Sequence, residues 1–379
     1  MEGTYMRNIK RKSGMAAAIL GISALVLTAC GAAPEASPSG SAAPSAGGST
    51  AAGAADFTGC IVSDSGGFDD RSFNQSSYEG LLQAQKDLGI EVKKAESKAA
   101  TDFAPNLNSM VKGGCDLTIT VGFLLSDETK KVAAANPEKH FAIVDDNAID
   151  AKNVKPIIYD TAQAAFLAGY LAAGMSETGK VATYGGMNIP TVSIFMDGYA
   201  DGVAYYNEKK SKNVEVLGWD VAEQNGTFTG DFENQGAGKN TTLTFANEGA
   251  DVIMPVAGPV GLGTMDAVKE LNAGGKDVKV IWVDADGFES LASGNEFILS
   301  SVIKEMGKSV EDVVTSDVEG KFDSTPYVGT LENGGVSLAP FHDFDSKVSA
   351  ELKGELDQLK ADIVSGAVKV ESPSSPKSN

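Results

Sequence analysis

The chain has 379 residues and 39.1 kDa, room for about two domains of ordinary size, and its 42% hydrophobic content can fill buried cores. Against 31 Lys and Arg stand 51 Asp and Glu, a formal net charge of -20, which opposes binding of nucleic acid or an anionic surface through bulk charge. Two histidines and three cysteines leave little material for a zinc site or a His-based triad.

In chain order, the first element is an export segment. Arg7, Lys10, Arg11 and Lys12 make a basic start, residues 15–29 carry no charge, and the segment closes on Leu27-Thr28-Ala29-Cys30. A basic start, a short apolar run and small residues before the cut describe a signal peptide over residues 1–29. The run is short for a membrane span, and no later stretch is longer and as apolar. The Leu-Thr-Ala-Cys ending resembles the lipobox of bacterial lipoproteins. That resemblance implies a lipid on Cys30 and an anchor at the extracytoplasmic face of the cell membrane; an ordinary signal peptide is the plain alternative. Cleavage removes four basic residues and one acidic residue, leaving a net charge of -23. The lipid, not the protein surface, must then hold the molecule to an anionic membrane. After Cys30, residues 31–56 contain only Gly, Ala, Pro, Ser, Thr, Glu and Asp, so residues 30–56 read as a disordered, lipidated linker.

From Phe57 onward short β-branched runs alternate with helical stretches. Strands are expected at 60–63, 90–93, 117–121, 141–144 and 154–159, with helices at 75–88 and 103–111. An Ala- and Gly-rich helix at 161–175 leads into a second series. Its strands fall at 180–184, 214–217, 251–255 and 278–283, and its helices at 192–209, 239–248 and 262–271. Then come a strand at 298–303, a helix at 307–318, an extended piece at 326–331, a helix at 346–363 and a frayed tail. The pattern predicts an α/β fold of two doubly wound parallel-sheet lobes joined by a hinge, a clamshell. Residues 57–160 form the N-terminal lobe and 161–284 the C-terminal lobe. Residues 285–325 return to the first lobe, 326–370 return to the second, and 371–379 are tail. Cys60 and Cys115 each begin a strand; a disulfide and two buried free thiols are both open, and export permits the first.

Ligands in open parallel sheets sit beyond the carboxyl ends of the strands. Asp64, Gly122, Asp145, Gly185, Gly258 and Asp284 each follow one. The most informative stretch runs from Asp64 to Gly80, with Ser65-Gly66-Gly67 after a strand and Phe73-Asn74 at a helix start. Glycine lets backbone approach a ligand, and Asn is a natural helix cap. Phe73 is either a ring offered to a ligand or a staple folded under the helix.

This stretch resembles the N-terminal signature of the basic membrane protein family of bacterial substrate-binding lipoproteins, the PnrA-like or nucleoside-binding family of ABC transporters. Further landmarks follow in order: Thr178-Gly179-Lys180-Val181, Gly249-Ala250-Asp251, Ala257-Gly258-Pro259, Val283-Asp284-Ala285-Asp286 and Ser300-Ser301-Val302-Ile303-Lys304. The resemblance implies the type I periplasmic-binding-protein clamshell. It implies a nucleoside, a purine in the first instance, with its base stacked between Phe73 and Phe232; Phe228 is near enough to be the second ring instead. It gives the ribose to Asp284, the family's binding lysine to Lys304, the base edge to Asp145 or its neighbour Asp146, close backbone approach to Gly258, and polar contacts to Asp64 and Asn74. A ring on each face suits a planar heterocycle, at about 1–3 kcal/mol per stacked base. A carboxylate can accept from two vicinal hydroxyls. The partners implied are an ABC permease and the lipid anchor, with no nucleic acid, no cofactor, no metal and a monomeric state. Trp282 departs from the family pattern, which more often has glycine there, and puts fine ligand preference in question.

Rival readings stay open. Asp69 and Asp70 suggest the calcium loop of a nucleoside hydrolase, but Val62 stands where that pattern needs an acid and its proline is missing. The plain reading is a solvated loop whose charge favours the helix N-terminus. A sugar or autoinducer receptor of the same fold is a second rival, and an adhesin a third. His140 and His342 are read as structural.

Overall fold

The computed structural model describes residues 54–376. The signal segment, Cys30 and most of the linker lie outside the described residues.

Two six-stranded sheets form the body. The first series runs β1 (Thr58–Ser63), α1 (Phe73–Leu88), β2 (Glu91–Ala95), α2 (Ala100–Lys112), β3 (Leu117–Val121), α3 (Ser126–Ala135), β4 (His140–Val144) and β5 (Val154–Tyr159). α4 (Thr161–Met175) then opens the second series: β6 (Lys180–Gly185), α5 (Pro190–Lys210), β7 (Glu215–Leu217), β8 (Trp219–Asp220), β9 (Asn225–Gly226), α6 (Gln235–Glu248), β10 (Val252–Val256), α7 (Gly261–Ala273), β11 (Lys279–Asp284), α8 (Gly287–Ser290) and β12 (Ile298–Lys304). The chain ends with α9 (Met306–Val318), β13 (Tyr327–Gly329), β14 (Val336–Leu338) and α10 (Ala350–Val364).

The sheets share one topology. The first has the order β2-β1-β3-β4-β5-β13 and the second β7-β6-β10-β11-β12-β14. All pairs in them are parallel except β12 with β14. Parallel strands covered by helices on both faces must be apolar throughout, and β1, β3, β10 and β11 are buried along their whole length. α4 explains its own composition: nearly all its faces are buried, against α5, β12, β14 and α10, so small residues are needed all round. The chain crosses between sheets at Asp160, at Glu305 and between β13 and β14.

Three expectations are corrected here. β12 stays in the second sheet beside β11, so the chain does not return to the first lobe at residue 285 but after Lys304. β13 then pairs with β5 in the first sheet, so residue 326 does not begin a return to the second lobe; β14 does. β12 extends the second sheet beyond β11, β13 extends the first beyond β5, and β14 closes the second beyond β12. The serine-rich end is not frayed through Pro376. Ser372, Ser374 and Ser375 hydrogen-bond to Asp197, Ser193 and Asp160.

Cys60 and Cys115 are joined as a disulfide, with Cα atoms 5.9 Å apart. Cys60 lies inside β1, opposite Thr118 of β3, whereas Cys115 does not begin the strand but precedes it in the loop, where the next residue, Asp116, donates its N–H to Thr58 O at 3.0 Å. The bond lies away from the strand ends that carry the site.

Candidate ligand-binding site

A strand order of 2-1-3-4-5 reverses direction between strands 1 and 3, and a crevice opens there at the carboxyl ends. This molecule has two such points, and they line one cavity. In the first lobe Asp64 follows β1 and Gly122 follows β3; in the second, Ala257 and Gly258 follow β10. As it stands the cavity is tight, with about 60 Å³ open to a water-sized sphere, well below the about 300–1,000 Å³ usual for small-molecule sites. Asp64, Phe73, Asn74, Asp145, Phe232, Gly258, Asp284 and Lys304 all line it.

The loop after β1 is built by a carboxylate that no sequence motif marks as a builder. Asp70, 2% exposed, accepts the backbone N–H groups of Ser72, Asn74 and Gln75 at 3.0, 2.8 and 3.0 Å. It therefore satisfies the open N-terminus of α1, and Asn74 is not the cap. Nor is Asp70 solvated; only Asp69 is exposed. Freed from capping, Asn74 donates to Ser65 O at 3.1 Å and to Asp64 Oδ1 at 3.4 Å. Its own Oδ1 is buried without a hydrogen-bond partner among the described residues. Phe73, on the first turn of α1, is half-buried and faces the cavity.

Gly122 makes room for Asp64. Its φ is 113°, and a Cβ there would meet an Asp64 carboxylate oxygen at 1.8 Å. Burial pushes the Asp64 carboxyl well up; the hydrogen bond from Asn74 opposes this, while Asp70 and Asp145 add to it. Asp64 thus tends toward its neutral form, which can donate a hydrogen bond.

The centre of the site is a charge cluster drawn from both sheets. Lys304, at the end of β12, lies 2.5 Å from Asp145 Oδ2, beyond β4, and 3.5 Å from Asp284 Oδ1, at the end of β11. Burial alone would lower the Lys304 pKa, but Asp145 and Asp284 reverse this and hold it above the usual lysine range, so the ammonium stays charged. Burial pushes Asp145 up and Lys304 draws it back. The rings of Phe73 and Phe195 stand 5.0 and 5.1 Å from Lys304 Nζ, within cation–π range. Asp284 Oδ2 accepts from Ser72 Oγ at 3.0 Å, while its buried Oδ1 has, among the described residues, no hydrogen-bond partner beyond the 3.5 Å ion pair with Lys304. Asp145 and Asp284 also sit at φ of 65° and 71°. Such backbone strain on non-glycine residues collects at functional sites.

Two open alternatives separate by position. Phe232 lines the cavity, packed over Gly186, where a Cβ would meet its ring at 2.4 Å. Phe228 instead turns to Gly185 and Trp219, with its ring centre 6.0 Å from that of Trp219. Asp145 lines the cavity, whereas Asp146 accepts from Ser126 Oγ at 2.8 Å. Trp282 is 1% exposed in the second-lobe core, and its Nε1 donates to Arg71 O across the lobes at 3.3 Å. His140 is hydrogen-bonded to Asp317 and His342 to Asp286, each at 2.7 Å. Among the described residues no cluster of His, Cys, Asp and Glu has the arrangement of a metal site. Phe195 and Phe123 also line the cavity, and the sequence does not reveal them; each sits in a stretch with no motif to mark it.

The family profile of the PnrA-like ABC transporter substrate-binding proteins matches residues 57–372. The chain belongs to this family. A nucleoside-binding protein of an ABC transporter from Lactococcus lactis is 32% identical over 84% of this chain and 90% of its own. An uncharacterized lipoprotein of Pyrococcus abyssi is 31% identical over 79% and 72%. Among solved structures, a solute-binding protein of an ABC transporter system from Aeropyrum pernix superposes with a TM-score of 0.76 at 26% identity, covering 84% of this chain and 94% of that one. The fold is therefore the two-lobed α/β fold of ABC substrate-binding proteins, as the sequence resemblance implied. Among the described residues no helix is long and apolar enough to cross a membrane.

Proposed function

We propose that this substrate-binding protein captures a nucleoside between its lobes, outside the cytoplasmic membrane, and delivers it to an ABC permease. The observation that carries the reading is the composition of one crevice. Aromatic rings reach it from both lobes, Phe73 from the first and Phe232 from the second, beside a buried carboxylate oxygen of Asp284 that, among the described residues, is met only by the Lys304 ammonium at 3.5 Å. A base between two rings gains about 1–3 kcal/mol from each stacking contact. Vicinal hydroxyls satisfy Asp284 and are also within the reach of Lys304. The base edge then meets Asp145, with Asp64 and Asn74 as further polar partners and Gly258 giving backbone access. A purine is the reference ligand, and the similarity to the nucleoside-binding relative supports the class.

Because the ligand touches both lobes, it shifts the population toward the closed form. The closed monomer is the form the permease reads. Cys30 carries the lipid in this account, and the acidic body stays clear of the membrane on its linker. No covalent step is involved.

The test is binding by Phe73→Ala and Asp284→Ala. Each loses about tenfold or more in affinity for a purine nucleoside, with little change in melting temperature. Unchanged binding by both places the ligand elsewhere.

A further inference from the structure

Beyond Asp145 and Lys304 the crevice continues. A second cavity, with about 940 Å³ of non-atom space counting its mouth, shares Phe123, Asp145, Thr191 and Lys304 with the first. Its remaining wall is mixed: Asp146, Asn147, Thr161, Ser374 and Ser375 supply polar groups, and Ile158, Pro190 and Ile194 apolar ones. Thr161 is fully buried, and its hydroxyl has no hydrogen-bond partner among the described residues. A buried hydroxyl left unpaired is unfavourable, and a group that bonds to it recovers the loss.

One side of this cavity is made by the end of the chain. Ser375 Oγ donates to Asp160 Oδ1 at 2.9 Å, where the chain crosses between the sheets. Ser374 Oγ lies 2.9 Å from Ser193 Oγ, and Ser372 Oγ donates to Asp197 Oδ2 at 2.5 Å, both on α5. These side-chain bonds from Ser372, Ser374 and Ser375 hold the strap in place, so the wall belongs to the fold.

We propose that the strap-walled compartment is a subsite that receives a short, uncharged polar arm carried on the edge of a nucleoside's base. This rests on the nucleoside reading: with the sugar at Asp284, the base edge meets Asp145, which lines both cavities. The chemical class follows from the walls. Hydroxyls of Thr161, Ser374 and Ser375 suit an alcohol or amide, whereas Asp145 and Asp146 repel an acid.

The experiment is calorimetry on the full mature chain with a purine nucleoside and with the same nucleoside bearing a hydroxyalkylamino arm on the base edge. The armed nucleoside is expected to bind about fivefold tighter than its parent, the gain of one added hydrogen bond. The Ser374→Ala/Ser375→Ala double variant, and separately Thr161→Val, lose that gain and keep the parent's affinity. An armed nucleoside that binds more weakly than its parent, or a gain that survives in both variants, overturns the subsite. If neither nucleoside binds, the nucleoside reading itself falls and the subsite falls with it.

Discussion

The indole N–H of Trp282, buried in the second lobe, donates to the carbonyl oxygen of Arg71 in the first over 3.3 Å. Ser290 Oγ reaches the same oxygen at 2.9 Å, and Arg71 is held there at a φ of 61°. Arg71 adjoins Ser72, which itself bonds to Asp284. Trp282 thus joins the lobes next to the site, and it neither crowds the hinge nor fills the cavity.

Parting the lobes at this point must break both bonds, so on the proposed function the clasp should favour the closed form. Trp282→Phe keeps a ring in the core and removes the donor. A single hydrogen bond contributes about 1 kcal/mol, so ligand affinity should fall about fivefold. Ser290→Ala should act in the same direction with a smaller loss of thermal stability. Calorimetry and melting curves on both variants check this; undiminished affinity in both would show that the clasp does not bias closure.

Gly186 sets the position of the second ring. A methyl group there would meet Phe232 at 2.4 Å and Asp231 O at 2.9 Å. Gly186→Ala should displace the ring and cost about tenfold in affinity, whereas Phe228→Leu should leave binding nearly intact and lower stability. The reverse pattern in a titration would make Phe228 the ligand's partner.

Asp70 gives a pH signature. Burial raises its pKa to about 6, against the pull of three backbone N–H groups. In the unfolded chain it titrates at about 3.9. Between these values the folded protein holds a proton that the unfolded chain has released. Asp70 therefore stabilises the fold relative to its ionised state at low pH, and that contribution is lost as pH rises from about 4 to about 6. Asp70→Asn cannot titrate. Its melting temperature, relative to the native chain, should climb across that interval and level off above it. A difference that stays flat with pH would contradict the assignment.

Much of the fold and the site is legible in the sequence, and the failures are instructive. Parallel strands announce themselves by continuous apolar runs, and the residue after each run marks the crevice; Asp64, Asp145 and Asp284 stand out that way. Sheet membership is not legible for Ile298–Lys304 and Tyr327–Gly329. An apolar strand reads the same whichever sheet it joins, and β13 and β14 are only three residues each. Asn74 looks like the cap on α1 because the helix starts earlier than the pattern suggests, at Phe73, and Asp70 caps it through a local turn, reaching N–H groups only two to five residues ahead. The last residues read as disordered because serines cannot make a core. Ser372, Ser374 and Ser375 are instead held by Asp197, Ser193 and Asp160, distant in sequence. Phe195 lies inside a long helix, and only the meeting of two lobes gives its ring a site to face.

The most direct measurement is calorimetric titration of the mature chain with purine and pyrimidine nucleosides, their free bases, and a set of monosaccharides. The account predicts tight binding of at least one nucleoside, weaker binding of its free base because Asp284 is left unmatched, and no binding of sugars. Tight binding of a sugar, with no heat from any nucleoside, would contradict it.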